Sequence, residues 1–167
     1  TPDEEIHQHY ADLLRNAGVV LYGRKTYQLM EYWRPLAANP TGNTSIDEFA
    51  VVMDRTPKIV FSHTLKNLDW ESARLTDRDI EEEVLGLKQQ SGKDIFVGSP
   101  GLIVALTKLN LIDEYQICVH PVIAGSGLPL FNNLNGKTNL KLKKTKTFGG
   151  GAVILYYEPA GETITDR

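Results

Sequence analysis

DIFVGSPGLIVALTKLNLIDEYQICVHP, residues 94–121, decides the fold of this 167-residue chain. Asp94 to Val97 is a short β-rich run ahead of a glycine, the pattern of a buried strand. Pro100 suits the first turn of the helix that follows, because its missing N–H would have no intrahelical partner there. The other N–H groups of that turn point outward, beside Gly98 and Gly101, which let a ligand approach the backbone closely. Such a turn can hold an anion, most often a phosphate. The same residues also make an ordinary strand-to-helix turn, and taken alone they fit both. From Glu114 to His120 the pattern alternates again, so the stretch reads strand, helix, strand.

Composition bounds what can surround this unit. The length suits one domain, residues 1–167, able to bury roughly 70% of its unfolded surface. Hydrophobic content of 41% and charged content of 23% are those of a soluble globular protein. No apolar run approaches the ~20 residues of a membrane span, and the N-terminus has no basic-then-apolar signal pattern. A net charge of -3 argues against a nucleic-acid groove. Cys118 is the single cysteine, which excludes an internal disulfide and a cysteine-cluster metal site. Its place in an alternating strand makes it a small buried hydrophobe, not a nucleophile. The expectation is a soluble, cytoplasmic domain with no membrane and no nucleic-acid partner.

Upstream, Thr1, Pro2 and Glu4 form a capping pattern for a first helix. Ile6, Tyr10, Leu13, Leu14 and Ala17 recur at helical spacing, and Gly18 is expected to close that helix. Val19 to Tyr22 is an apolar strand that ends at Gly23. Arg24, Lys25 and Thr26 then open a second helix, expected to run through Tyr27, Met30 and Trp33 as core or pocket wall. Residues 34–45 read as a surface loop. Ser45 and Glu48 form a capping box for a short helix that Pro57 stops. Lys58 to Phe61 is a third strand, ending in Ser62, His63 and Thr64. A polar stretch holding Trp70 leads to a short strand at Ala73 to Leu75. Thr76 is the expected N-cap of a helix from Asp77 to about Gln90, whose acidic run reads as a solvated face. Pro121 to Phe131 is a loop with two glycines flanking Ser126. Leu140 to Thr147 and Ala152 to Tyr157 are strands joined through Gly149, Gly150 and Gly151 as a hairpin.

This alternation predicts a three-layer α/β domain: a mostly parallel central sheet, helices on both faces, and an antiparallel C-terminal hairpin. Ligands of such sheets gather at the carboxyl ends of the strands. Three strands end in polar or glycine motifs, Gly23 to Thr26, Ser62 to Thr64 and Gly98 to Gly101. Together they suggest one long ligand with several negative charges.

Gly23-Arg24-Lys25-Thr26, Ser62-His63-Thr64, Gly98-Ser99-Pro100-Gly101-Leu102, LIDEY and the run from Val119 to Phe131 resemble the RibD C-terminal domain family, of dihydrofolate-reductase-like fold. The resemblance spans nearly the whole chain. It implies a stand-alone NADPH-dependent reductase, like those that reduce a phosphoribosylamino-pyrimidine in riboflavin biosynthesis. By position it implies that Arg24, Lys25 and Thr26, after Gly23, meet the dinucleotide phosphates. It likewise implies that Ser62, His63 and Thr64 lie against the adenosine ribose and any 2′-phosphate, and that Gly98 to Leu102 cradle the pyrophosphate.

Two departures qualify this. Relatives usually begin with a strand and loop of roughly thirty more residues beside the nicotinamide, and this sequence starts after them. His63 stands where relatives commonly carry arginine. An imidazole of ordinary pKa is mostly neutral at pH 7, so the expectation is weakened selectivity for NADPH, with NADH possible.

No catalytic residue is assigned. Asp3, Glu4, Glu5 and His7 are candidate acids by resemblance to folate reductases, yet carboxylates also belong at a helix N-terminus for dipole reasons. His9 is read as solvent-facing and His120 as a hydrogen-bonded structural histidine. No metal-ligand cluster, nucleophilic triad or H-x-E with P-C-x-x-C deaminase pattern is present in the sequence. The substrate expected is a small planar heterocycle, a riboflavin-pathway pyrimidine or a pterin. The alternative is a dinucleotide-binding protein without turnover. Val153, Leu155 and Tyr157 alternate with Ile154 and Tyr156, so the hairpin is apolar on both faces and a homodimer through this region is expected.

Overall fold

A computed structural model describes residues 2–90 and 92–161 of the chain. Four short apolar runs become parallel strands: β1 (Ala17–Gly23), β2 (Lys58–Phe61), β3 (Ala73–Thr76) and β4 (Asp94–Val97), in the order β3-β2-β1-β4. Val20 pairs with Lys58 and Phe96, and Gly23 with Phe61, so β1 and β2 end level with each other. β1 faces apolar surroundings on both sides, which explains its unbroken apolar sequence. Val20 and Tyr22 turn toward helices α1 (Pro2–Arg15), α2 (Arg24–Met30) and α4 (Thr44–Arg55), where Ala11, Leu14, Tyr27, Phe49 and Met53 form one core. Leu21 turns the other way, onto α5 (Ile80–Gln89) and α6 (Pro100–Lys108), with Ile59, Val84 and Leu106. This is the three-layer architecture expected. Leu21 and Val60 are fully enclosed, each burial contributing about 1.5–3 kcal/mol.

The antiparallel part is a sheet of its own. β5 (Tyr115–Val119), β6 (Leu140–Thr147) and β7 (Val153–Pro159) pair in the order β5-β7-β6. Ile154 and Tyr156 of β7 pack with Phe148 and Ala152 and against Ile6 of α1. Glu5 ties the same pair together, accepting the Gly149 N–H at 2.8 Å.

Several boundaries differ from those expected, each for a local reason. The first helix stops at Arg15, and Ala17 and Gly18 belong to β1. A Cβ on Gly18 would stand 3.1 Å from the Lys93 carbonyl oxygen, so this glycine serves a close strand approach, not a helix cap. Thr1, the expected cap, lies outside the described residues. The second helix breaks at Glu31 and Tyr32, and a separate helix α3 (Trp33–Ala38) follows. Pro35 has no N–H for the Glu31 carbonyl and would clash with it, yet fits the first turn of α3. The loop therefore shrinks to residues 39–43. Asn43, not Ser45, caps α4: its Oδ1 accepts the N–H groups of Ser45 and Ile46 at 3.1 and 3.2 Å. Asp79, not Thr76, caps α5, accepting from Glu81 and Glu82 at 3.0 and 3.3 Å. Thr76 closes β3, and its Oγ1 accepts the Arg78 N–H.

Among the described residues, two charged side chains are buried. Lys58 opens β2, and its Nζ donates to the carbonyls of Thr56 and Met53 and to Ser72 Oγ while lying 4.0 Å over the Trp70 ring. It thereby closes the C-terminal end of α4, and burial pushes its pKa down to about 8. Glu83 is 3% exposed, which corrects the solvated-face reading for that residue. It falls at helical spacing with Ile80, Val84 and Leu87, on the inward stripe of α5.

Candidate dinucleotide site at the carboxyl edge of the parallel sheet

Because β2, β1 and β4 are neighbours, their carboxyl ends form one continuous edge. The three motifs picked out from the sequence meet there in the order Ser62–Thr64, Gly23–Thr26, Gly98–Leu102. The close fit begins at Gly98, whose N–H reaches the Leu21 carbonyl at 3.4 Å. A Cβ at this position would stand 3.0 Å from the Tyr22 ring, so the close approach requires glycine.

Ser99 is the pivot. It occupies the N-cap position of α6, but its side chain makes no capping bond. Its Oγ instead accepts the Gly23 N–H at 2.8 Å, linking the end of β1 to the end of β4. Ser99 is 3% exposed, so only its main chain can contribute to a ligand site. Pro100 is at the first helical position and the first internal bond of the helix runs from Ile103 N–H to Ser99 O. The N–H groups of Gly101 and Leu102 thus have no partner within the helix. Gly101 is exposed with nothing near its Cβ position, and Leu102 packs into the core below as a floor.

Arg24 and Lys25 stand beside this turn at the start of α2, both exposed and, among the described residues, in no ion pair. Thr26 is half-buried. At the end of β2, Ser62 is taken up internally. Its N–H donates to the Thr76 carbonyl at 3.2 Å, and its Oγ accepts from the N–H groups of Thr64 and Leu65 at 3.2 and 3.1 Å. His63 and Thr64 are left exposed. The donor set is two free cations, two open main-chain N–H groups and a glycine-lined turn. That set suits the pyrophosphate of a dinucleotide.

The candidate acids separate. Glu5 bonds the β6–β7 turn through Gly149, and His7 packs against Trp33 and Phe49, with ring centroids 6.0 and 5.7 Å away. The side chain of Asp3 lies outside the described residues. His9 does not face solvent as expected: the hairpin covers it. Its ring stands 5.5 Å from Phe148 and its Nδ1 2.8 Å from Lys146 Nζ. Burial, then Lys146, holds its pKa below the usual value. His120 is exposed, its Nε2 3.6 Å from Cys118 Sγ, and Cys118 is only half-buried. Tyr27 lies in the core, with Met30 and Trp33 at its margin. One cleft, about 1070 Å³, lies elsewhere, at the amino edge between α1 and α4. A second, about 830 Å³, gathers Glu4, Glu5, His9, Asp12 and Lys146. Sequence reasoning missed both, because each forms between elements far apart in the chain.

The fold and this edge define an α/β domain with a candidate ligand cradle at the strand ends. The chain matches the RibD C-terminal domain over residues 2–154 and belongs to that family. It is 36% identical over 149 residues to the uncharacterized protein YyaP of Bacillus subtilis (strain 168), covering 89% of this chain and 77% of that protein. Among solved structures it superposes on a putative riboflavin biosynthesis protein from Shewanella sp. PV-4 with a TM-score of 0.66 at 18% identity, covering 89% of this chain and 77% of the other. It also superposes on Acinetobacter baumannii RibD, with a TM-score of 0.62 at 13% identity, covering 91% of this chain and half of RibD.

Proposed function

We propose that this protein is an NADPH-dependent reductase of a small planar heterocycle, of the kind of the riboflavin-pathway phosphoribosylamino-pyrimidine. The observation that carries the reading is the open first turn of α6. Ser99, the residue that could have capped it, is bonded to Gly23 instead. The N–H groups of Gly101 and Leu102 would hold the pyrophosphate, and Arg24 and Lys25 would neutralise it. Ser62, His63 and Thr64 would border the adenosine ribose. Bound NADPH would supply hydride to an electrophilic carbon, and this chain's own part is to orient the dinucleotide along the strand ends. Family membership and relatives named for riboflavin biosynthesis support the substrate class.

The test follows NADPH absorbance with the riboflavin-pathway pyrimidine and with dihydropterins, alongside a binding titration. Oxidation of NADPH that depends on the pyrimidine supports the proposal, whereas oxidation only with pterins overturns the substrate class. Binding without consumption supports a second reading, a dinucleotide-binding protein without turnover. That reading is favoured by Glu5, which is committed to Gly149 and not free to act as an acid.

We further propose a homodimer. Val119, Val122, Ile123, Leu128 and Leu142 are large apolar side chains exposed by 49% to 100%, and a second copy would cover them. Sedimentation showing a monomer at micromolar concentration would contradict this.

A further inference from the structure

Asn135 is the one asparagine of the sequence that precedes a glycine. It lies between Phe131 and β6, where residues 132–139 form neither helix nor strand, and Asn135, Gly136 and Lys137 are all exposed. The Asn135 side chain and the Gly136 N–H make no hydrogen bond among the described residues. Gly136 has a φ of 78° and open space where a Cβ would stand. Its nitrogen is therefore unshielded, and its backbone can turn at little steric cost. The other asparagines are each followed by a residue with a Cβ, and several are held as well. Asn16 Nδ2 donates to the Asp12 carbonyl at 2.9 Å, and Asn43 Oδ1 accepts from Ser45 and Ile46. Asn39 precedes Pro40, which has no N–H to react.

We propose that Asn135 and Gly136 form a self-modification site at which Asn135 deamidates. The Gly136 nitrogen gives up its proton to water and attacks the side-chain carbonyl carbon of Asn135. A C–N bond forms there, the bond to the side-chain nitrogen breaks, and that nitrogen leaves as ammonia. Water then opens the cyclic imide at either carbonyl, giving aspartate at one and isoaspartate at the other. Nothing is oxidised or reduced. The reacting atoms are neighbours in the chain, so the rate depends on how freely the backbone brings them into line. The product carboxylate is the first in a stretch, residues 115–157, that holds five lysines and no acid. Isoaspartate also lengthens the main chain by one carbon just before β6, where the Asn139 carbonyl accepts the Ala160 N–H at 3.0 Å.

The experiment holds the full chain, folded, in warm and mildly alkaline buffer, beside the same chain unfolded in urea. Trypsin fragments are followed by tandem mass spectrometry. The fragment of residues 109–137 should gain the mass difference between an amide and an acid at Asn135 before any other asparagine converts. Enzymatic methylation of isoaspartate with S-adenosylmethionine should label the same fragment. The folded chain should convert at nearly the rate seen in urea, because nothing in the fold restrains this pair. Gly136→Ala, checked by thermal unfolding, should slow conversion at least about tenfold, and Asn135→Gln should abolish the label on this fragment whether or not the alanine variant folds. Conversion in urea with none in the folded chain overturns the proposal. So does first conversion at another asparagine, or a rate that a folded Gly136→Ala leaves unchanged.

Discussion

Helices α4 and α6 treat their first turn in opposite ways. α4 is closed by the chain itself. Asn43 bonds its first N–H groups, and Asp47 gathers Thr41 and Gly42 at 2.7 and 3.0 Å to fix the loop before it. Lys58 closes its other end. α6 has a serine in the capping position that turns away to Gly23, followed by proline and glycine. α5 follows the pattern of α4, with Asp79 as cap and Glu81, Glu82 and Glu83 in its first turn. A helix that only supports the core satisfies its own N–H groups, whereas α6 keeps them open and accepts the lost stabilisation. A cap contributes about 1 kcal/mol, small beside what two N–H groups and two cations can gain from a pyrophosphate.

The strongest way to break this contrast is to give α6 the acidic first turn of α5. Gly101→Glu meets open space. It should hold or raise the melting temperature, since glutamate improves on glycine by up to about 1 kcal/mol within a helix and suits the dipole. The same carboxylate would repel the phosphates by several kcal/mol, so dinucleotide affinity should fall about a thousandfold. Thermal unfolding and a fluorescence titration on one sample check both signs. If stability and binding fall together, the turn is an ordinary structural one.

The closed end of α4 should appear in the pH dependence of stability. Between about 8, the folded pKa of Lys58, and 10.5, its ordinary value, the unfolded chain holds a proton that the folded chain has lost. Stability should therefore rise with pH in that window, by at most about 3 kcal/mol. Above pH 10 the sign reverses. Burial pushes Tyr10, Tyr22 and Tyr27 up to about 12, so the folded state keeps protons that the unfolded tyrosines release. Urea midpoints should peak near pH 10, and Lys58→Met should remove the rising limb.

Arg24→Ala with Lys25→Ala sharpens the other side. Dinucleotide affinity should fall about ten- to hundredfold, with a weaker salt dependence. Stability should change by less than about 0.5 kcal/mol, as both side chains are exposed and make no ion pair among the described residues. The smallest effect is expected from Asn43→Ala or Asp79→Ala, each costing about 1 kcal/mol and a few degrees of melting temperature. Neither should alter binding, which equilibrium titration would verify.

Much of the candidate cradle was legible because it is local. Gly98, Pro100 and Gly101 declare a strand-to-helix turn by spacing alone, and Arg24 and Lys25 follow a strand-ending glycine in the same way. What Ser99 does was not legible, since its partner, the Gly23 N–H, lies 76 residues away. The helix boundaries missed at Gly18 and Tyr32 also depended on neighbours, the Lys93 carbonyl and the geometry of Pro35. Glu83 carried a readable signal, its place on the apolar stripe with Ile80 and Val84. An acidic run at a helix start hides it, because dipole and solvation explain such a run equally well.

By itself the sequence determined the order of the strands and of every helix but α3, the parallel character of the sheet and the three polar strand ends. Those follow from hydrophobic period, glycine and proline, which act over a few residues. Only the tertiary structure decided that the three ends stand side by side, that Ser99 leaves α6 open and that Glu83 holds Arg74 and Arg78. Such choices arise when distant segments compete for the same donors and acceptors, and that competition is settled only when the sheet has assembled.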